Sequence, residues 1–498
     1  MKNIKFLLLS AILIGFNACN EPEDIVELPE NVVLPELTSG DADFSNFVSI
    51  GNSLTAGFTD GALFIAAQEN SFPNILAEKF SLVGGGAFTQ PLMNDNFGGL
   101  AVGGTRITSP RLVFGGSGPV PLESVIGAVT VTTDIALNNP TGPFNNMAVP
   151  GAASFHLNAP GYGNLANVSL GLANPYFVRM TGSTPNATVM ELAVQQSPTF
   201  VSLWIGANDV LGYALGGASS AGPTPQPTFD FSIATIMSGL AGTKGVMTNI
   251  PYVTDIPYFT TIPYNTIPLD GATAGLVNGG YAPYNGGIQA AYAALAGTGL
   301  FSEEEANSRI INFTEGNNAV VIEDESLTDL GAINPAFAGL PKYRQATAED
   351  LLILPSATFL GTTVGGNPLL INGVTVPLAD NWVLVPSEKQ EIKTAIDNFN
   401  VTIKGAADSA GYAFLDANTL FQELSTVGYT DGDYTLTSSL VSGGALSLDG
   451  VHGTARGYAL IANELMKAID AKYGSNFEAS GNLVDIGDYP TNYSPSLQ

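Results

Sequence analysis

The stretch Phe44-Ser-Asn-Phe-Val-Ser-Ile50-Gly-Asn-Ser53-Leu-Thr-Ala-Gly57 decides how this chain folds. Phe47, Val48 and Ile50 form a short apolar run without sustained polar alternation, and Gly51 ends it. Such a run suits a strand buried on both faces of a parallel sheet, with a tight turn at its carboxyl end. Thr199–Ile205 (TFVSLWI) repeats the pattern and also stops on a glycine, Gly206. Gly245–Ile250 and Tyr412–Asp416 (YAFLD) read as further strands.

Helices are expected between and after these strands. Ser71, with Pro73 in the first turn, predicts a helix over 73–80, and Phe231–Leu240 reads as another. Ser387 and Gln390 look like a capping box ahead of Ile392, Ile396, Phe399 and Ile403, which share one helical face. A last helix over 454–472 places Tyr458, Ile461, Leu465 and Ile469 on its buried stripe. Strands alternating with helices predict an α/β fold, a three-layer α/β/α arrangement around a parallel sheet.

Two segments interrupt that frame. Residues 82–140, rich in Gly, Thr, Val and Pro, predict an irregular or β-rich excursion. Residues 251–385 predict a large insertion with scattered short elements, among them a capped helix start at Ser302-x-x-Glu305. Ile-Pro-Tyr occurs three times across its start, at Ile250, Ile256 and Ile262. That spacing is too short for a solenoid. It predicts an extended, proline-stiffened segment leaving a strand along a pocket wall.

Sixteen basic residues against 44 acidic ones give a formal charge of -28. Such a surface repels phosphate backbones, which argues against nucleic acid as a partner. The single cysteine, Cys19, follows Lys2, Lys5, the apolar run Phe6–Phe16 and a small Ala18. This resembles a bacterial lipoprotein signal over 1–18, with Cys19 as the lipidated residue. Residues 19–43 then read as an acidic tether, 44–475 as the folded body and 476–498 as a tail. The expectation is an exported protein held by lipid to the bacterial outer membrane, with surface exposure suggested by the acidic residues after Cys19.

The chain has two histidines, so imidazole chemistry has few places to occur. His452 lies in Ser447-Leu-Asp-Gly-Val-His452, with Asp449 three residues before it in the same turn. A carboxylate there can fix the imidazole tautomer and stabilise the imidazolium. Ser53 lies where the first strand ends, the edge at which parallel sheets bind ligands, although a serine there can equally cap a helix. Gly151, in Asn146-Met-Ala-Val-Pro-Gly151-Ala, offers a backbone N–H that can approach a substrate closely. Asn208, in Gly206-Ala-Asn-Asp209, offers an amide at the same edge, and such N–H groups suit a tetrahedral oxyanion. His156 reads as structural, Asp431-Gly-Asp433 as a turn, and the glycine pairs between 84 and 116 as loops. No histidine–carboxylate cluster suggests a transition metal and no motif suggests a cofactor.

The blocks GNSLTAG, NMAVPGA, GAND and LDGVH, in this order, resemble the four sequence blocks of the SGNH (GDSL) hydrolase family. They are most similar to its lipoproteins from Bacteroidetes-type bacteria. The resemblance implies a flavodoxin-like three-layer fold and ester hydrolysis, with Ser53 as nucleophile, His452 as base and Asp449 as the orienting acid. It implies Gly151, Asn208 and the Ser53 backbone N–H as oxyanion donors. Asn52 stands where the family has Asp, and both insertions exceed those of a minimal member. The expected partner is a small-molecule or lipid ester, with an acylated glycan as the alternative substrate. A surface-binding lipoprotein that has kept the fold without catalysis is the alternative function.

Overall fold

The computed structural model describes residues 33–497. The leader, Cys19 and the first part of the acidic tether lie outside the described residues. Five strands make the central sheet: β1 (Phe47–Gly51), β2 (Asn146–Ala148), β3 (Phe200–Trp204), β4 (Lys244–Thr248) and β5 (Ala413–Leu415). They run parallel in the order β2-β1-β3-β4-β5. Every residue of β1 and β3 is buried, so both faces of the sheet are covered. The sequence pattern anticipated four of these strands. β2 was missed, because three residues leading into a proline turn leave almost no periodic signal.

The helices that frame the site are α1 (Ser53–Ala56), α2 (Phe72–Ser81), α3 (Asn208–Leu215), α4 (Gln226–Gly239), α5 (Gly271–Leu295), α6 (Pro386–Ala410), α7 (Ala417–Thr426) and α8 (Ala455–Tyr473). In β1 and β3, Phe47 pairs with Phe200, Ser49 with Ser202 and Gly51 with Trp204. Phe80 of α2 lies edge-on to Phe47 and Phe200 and stacks on Phe44, while Tyr473 of α8 meets Phe200. Each such phenylalanine, fully withdrawn from water, contributes about 1.5–3 kcal/mol. α4 and α6 form a second pair, with Phe229 stacked on Phe399. Ser49 and Ser202 satisfy each other inside the sheet, Oγ to Oγ at 2.6 Å.

Helix starts show where local reading slipped. Ser387 does not cap α6. The N–H of Val385 donates to Glu388 Oε2 at 2.8 Å, and Pro386 takes the first helical position. Proline loses nothing there, since that N–H has no intrahelical partner. α4 begins at Gln226, five residues earlier than its apolar stripe suggested, with Pro227 in its first turn. Ser302 does cap a helix, accepting the Glu305 N–H at 3.1 Å.

The insertion builds a second core, in which Ile267, Val277, Tyr281, Phe313, Val321 and Leu352 are buried together. It belongs to the same compact unit as the sheet. Arg344 pins it from within, reaching Asp324 through Nε at 2.5 Å and both oxygens of Asp350 at 2.7 and 2.6 Å. Its long α5 was not anticipated, because repeated glycines and Pro283 lower helix propensity. Packing overrides propensity: Val277, Tyr281, Ile288 and Leu295 are buried at helical spacings. The Asn278 and Asn285 side chains also hold the backbone of Phe313 and Ile311. The Ile-Pro-Tyr segment is not extended throughout. Val253–Asp255 and Pro257–Thr260 each make a helical turn, the second started by its proline.

In the 82–140 excursion, two short hairpins pair Ala101–Val102 with Thr105–Arg106 and Leu112–Phe114 with Pro119–Pro121. Buried Arg111 donates to the carbonyls of Asn96 at 2.8 Å and Ser494 at 2.7 Å. Residues read as a tail are thereby held on the body, and Phe477 is buried among the sheet aromatics. Among the described residues, no helix is long and apolar enough to cross a membrane.

Gly279 and Gly280 are exposed on α5, and a Cβ at either meets nothing within 4 Å. Gly279→Ala and Gly280→Ala should each stabilise the protein by about 0.5–1 kcal/mol, read from urea denaturation. A loss of stability in both would contradict a helix at these positions.

Candidate active site

The carboxyl edge of the sheet gathers the candidate residues. At the end of β1, a Cβ on Gly51 would lie 2.1 Å from Thr55 Oγ1 and 2.6 Å from the Trp204 carbonyl oxygen, so glycine is required. Asn52 follows as the cap of α1, its Oδ1 accepting the Leu54 N–H at 3.0 Å. The neighbour of Ser53 therefore does the capping, and the serine hydroxyl is left for another partner. Asn52 performs this without charge. Gly57 closes the turn in the left-handed region, at φ 81°.

That partner is His452. Ser53 Oγ lies 2.9 Å from His452 Nε2, and His452 Nδ1 lies 2.8 Å from Asp449 Oδ2. The serine and histidine are 399 residues apart in sequence. Asp449 Oδ1 accepts N–H groups from Val451 at 2.8 Å and His452 at 2.9 Å, and the Ser447 hydroxyl at 3.0 Å. Its Oδ2 also accepts the Gly61 N–H at 2.8 Å. Burial by itself would raise the Asp449 carboxyl. The adjoining His452 ring and the surrounding N–H groups outweigh burial and hold it well below the usual carboxylate range.

A second acid stands behind the first. Asp60, at φ 51°, donates its N–H to Ser447 Oγ at 3.1 Å and accepts the Leu448 N–H through Oδ1 at 3.1 Å. Burial pushes its carboxyl up to about 7, against the Leu448 bond. Phe58 lies 4.6 Å from the His452 ring, centre to centre. Sequence reading missed Asp60, whose partners are nearly four hundred residues away.

The loops after β2 and β3 are tied to each other. Asn208 Nδ2 donates to the Ala152 carbonyl at 2.9 Å, which uses one of its two N–H bonds. Buried Asp209 accepts the Ser154 N–H at 2.7 Å and its hydroxyl at 2.8 Å, and burial raises its carboxyl to about 6 despite them. Gly151 sits on the exposed turn after β2 at φ 80°, and Asn174 Nδ2 steadies that turn by donating to the Pro150 carbonyl at 2.7 Å. Among the described residues, neither the Gly151 nor the Ser53 N–H donates to a protein group.

Ser53, Asn208 and His452 line one small, open cleft. Its remaining wall is mostly apolar, from Leu211, Pro251, Val253, Ile256 and Phe421. Gly151 is not part of that lining. His156 is a structural residue: its Nδ1 accepts the Ala153 N–H at 3.0 Å and its ring stacks on Tyr162 at 4.5 Å. Asp431 and Asp433 flank a hairpin turn at Gly432.

One cluster away from the cleft has the chemistry for a cation. Carboxylate oxygens of Glu325, Asp380 and Glu388 lie within 4.8 Å of one another. Burial first, and the facing carboxylates second, push Asp380 up to about 7 and Glu388 up to about 8. Sequence spacing gave no hint of it, since Glu325 and Asp380 meet only through the folded insertion. The chain matches no protein-family model, no curated protein and no solved structure.

The raised acids make a pH prediction. In the folded chain Asp380 and Glu388 keep protons that they lose near pH 4 when unfolded. Stability present below that pH is therefore lost as pH rises toward 8. The melting temperature of Asp380→Asn should gain on that of the wild type between pH 5 and pH 8. Parallel curves across that range would contradict the arrangement.

Proposed function

We propose that this chain is a serine ester hydrolase of the SGNH (GDSL) kind, acting by acyl transfer from Ser53 to water. The relay from Ser53 through His452 to Asp449 carries this reading. The strand order, with the second strand outside the first, is that of flavodoxin-like sheets and supports a member of that fold.

In the proposed reaction His452 Nε2 takes the Ser53 proton as Oγ attacks the ester carbonyl. Asp449 holds Nδ1 protonated, so Nε2 is free to accept, and it stabilises the imidazolium that forms. The carbonyl oxygen becomes an oxyanion. The unbonded Ser53 N–H and the second N–H of Asn208 suit it, with Gly151 as the third donor on the neighbouring loop. The imidazolium then protonates the departing alcohol, and water, deprotonated by His452, releases the acyl group. Cys19 is the proposed lipid attachment that holds the enzyme to the outer membrane.

A fluorophosphonate probe should label the wild-type protein and fail to label Ser53→Ala. Ser53→Ala and His452→Ala should each abolish nearly all ester turnover, and Asn208→Ala should lower kcat by about 100- to 1000-fold. Wild-type-like turnover in Ser53→Ala would overturn the assignment.

A further inference from the structure

Beside the relay lies a buried acid that the proposed reaction does not use. Asp60 is 1% exposed, and the chain around it grips Asp449 from two sides. Its own N–H is donated to Ser447 Oγ, whose hydroxyl is donated in turn to Asp449 Oδ1. The N–H of the next residue, Gly61, is donated to Asp449 Oδ2. The Asp60 carboxyl completes the ring by accepting the N–H of Leu448, one residue before Asp449. Two acids thus share one seam, and His452 is bonded to the outer of them, Asp449.

The groups around Asp60 leave a charge on it poorly matched. Arg111 is the cation that faces it, yet the guanidinium is directed at the carbonyls of Asn96 and Ser494. Tyr458 of α8 and Tyr493 near the C-terminus face it with hydroxyls that burial keeps protonated. Asp449 faces it as a second negative charge. Burial is the largest of these influences, and it leaves the Asp60 carboxyl to change charge at about 7.

We propose that, with Ser53 as the nucleophile, Asp60 is a positioning residue of the relay that acts through Asp449. As the neutral acid it holds the Asp449 loop by the Leu448 bond. As the carboxylate it places a second negative charge behind Asp449, and that charge favours the imidazolium that forms as Ser53 attacks. Ser53 therefore becomes more reactive as Asp60 loses its proton.

Asp60 stands at φ 51°, a backbone setting that asparagine and glycine take up readily. Asp60→Asn keeps an acceptor for the Leu448 N–H but cannot ionise, whereas Asp60→Gly removes both the acceptor and the charge. The test follows the rate of fluorophosphonate labelling of the full chain, wild type and both variants, from pH 5 to pH 9. Wild type and Asp60→Asn should label at equal rates at pH 5. At pH 9 wild type should be roughly 3- to 10-fold faster, the effect of one added charge beside the relay, partly offset by Arg111. Asp60→Gly should be slower than wild type already at pH 5, and the gap should widen with pH in the same way. Poor folding of one variant therefore leaves the other to decide. A ratio of wild type to folded variant that stays constant or narrows with rising pH would overturn the proposal, because lost packing alone lowers the rate at every pH alike. Absence of labelling in wild type would instead overturn the nucleophile assignment, and the proposal with it.

Discussion

A buried carboxylate has to be matched, and Asp449 is matched by both ends of the chain. Gly61, after the first strand, and Val451, His452 and Ser447, before the last helix, all donate to it. Asp60 strengthens the same seam through Ser447 and Leu448. Leaving such a charge without its donors costs several kcal/mol, so the two loops are held in one arrangement. The position of His452 against Ser53 follows from that clasp. An unclasped pair of loops would leave the imidazole free to turn, and the 2.9 Å approach to Ser53 would be one orientation among several.

The sheet supplies the fixed edge on which the clasp closes. β1 and β3 bury every side chain, and their last residues, Gly51 and Trp204, pair at the edge that carries the site. Gly51 admits no Cβ, which lets the turn into α1 close tightly against the Trp204 carbonyl of the neighbouring strand and against Thr55. Asn208 and Asp209 then fasten the loop after β3 to the loop after β2. Rigid strands thus set the places, and a few polar bonds between loops set the directions.

The insertion is more than decoration on this frame. It has its own apolar core, and its first residues fold back to wall the cleft beside the serine. Away from the cleft, Asp380 and Glu388 meet exposed Glu325, and burial favours the protonated forms of Asp380 and Glu388. The negative charge of the chain is therefore uneven in its effect. Exposed acids are solvated, while Asp380 and Glu388, together with Asp60 and Asp209, are held where water does not reach them freely.

By itself the sequence determined the parallel sheet, through the apolar runs that end on Gly51 and Gly206. It also pointed to Ser53 and Asn208, which follow strands that end on glycine, and to Asp449 and His452, which share one turn in a chain with two histidines. These are local features, and short-range pattern records them well. Tertiary structure decided the rest. The role of Asp60, the exclusion of Gly151 from the cleft lining, the helix through Pro283 and the place of Phe421 in the cleft wall depend on segments far apart in sequence. Packing free energy between such segments can outweigh a helix propensity or select a partner, and no local window of residues contains it.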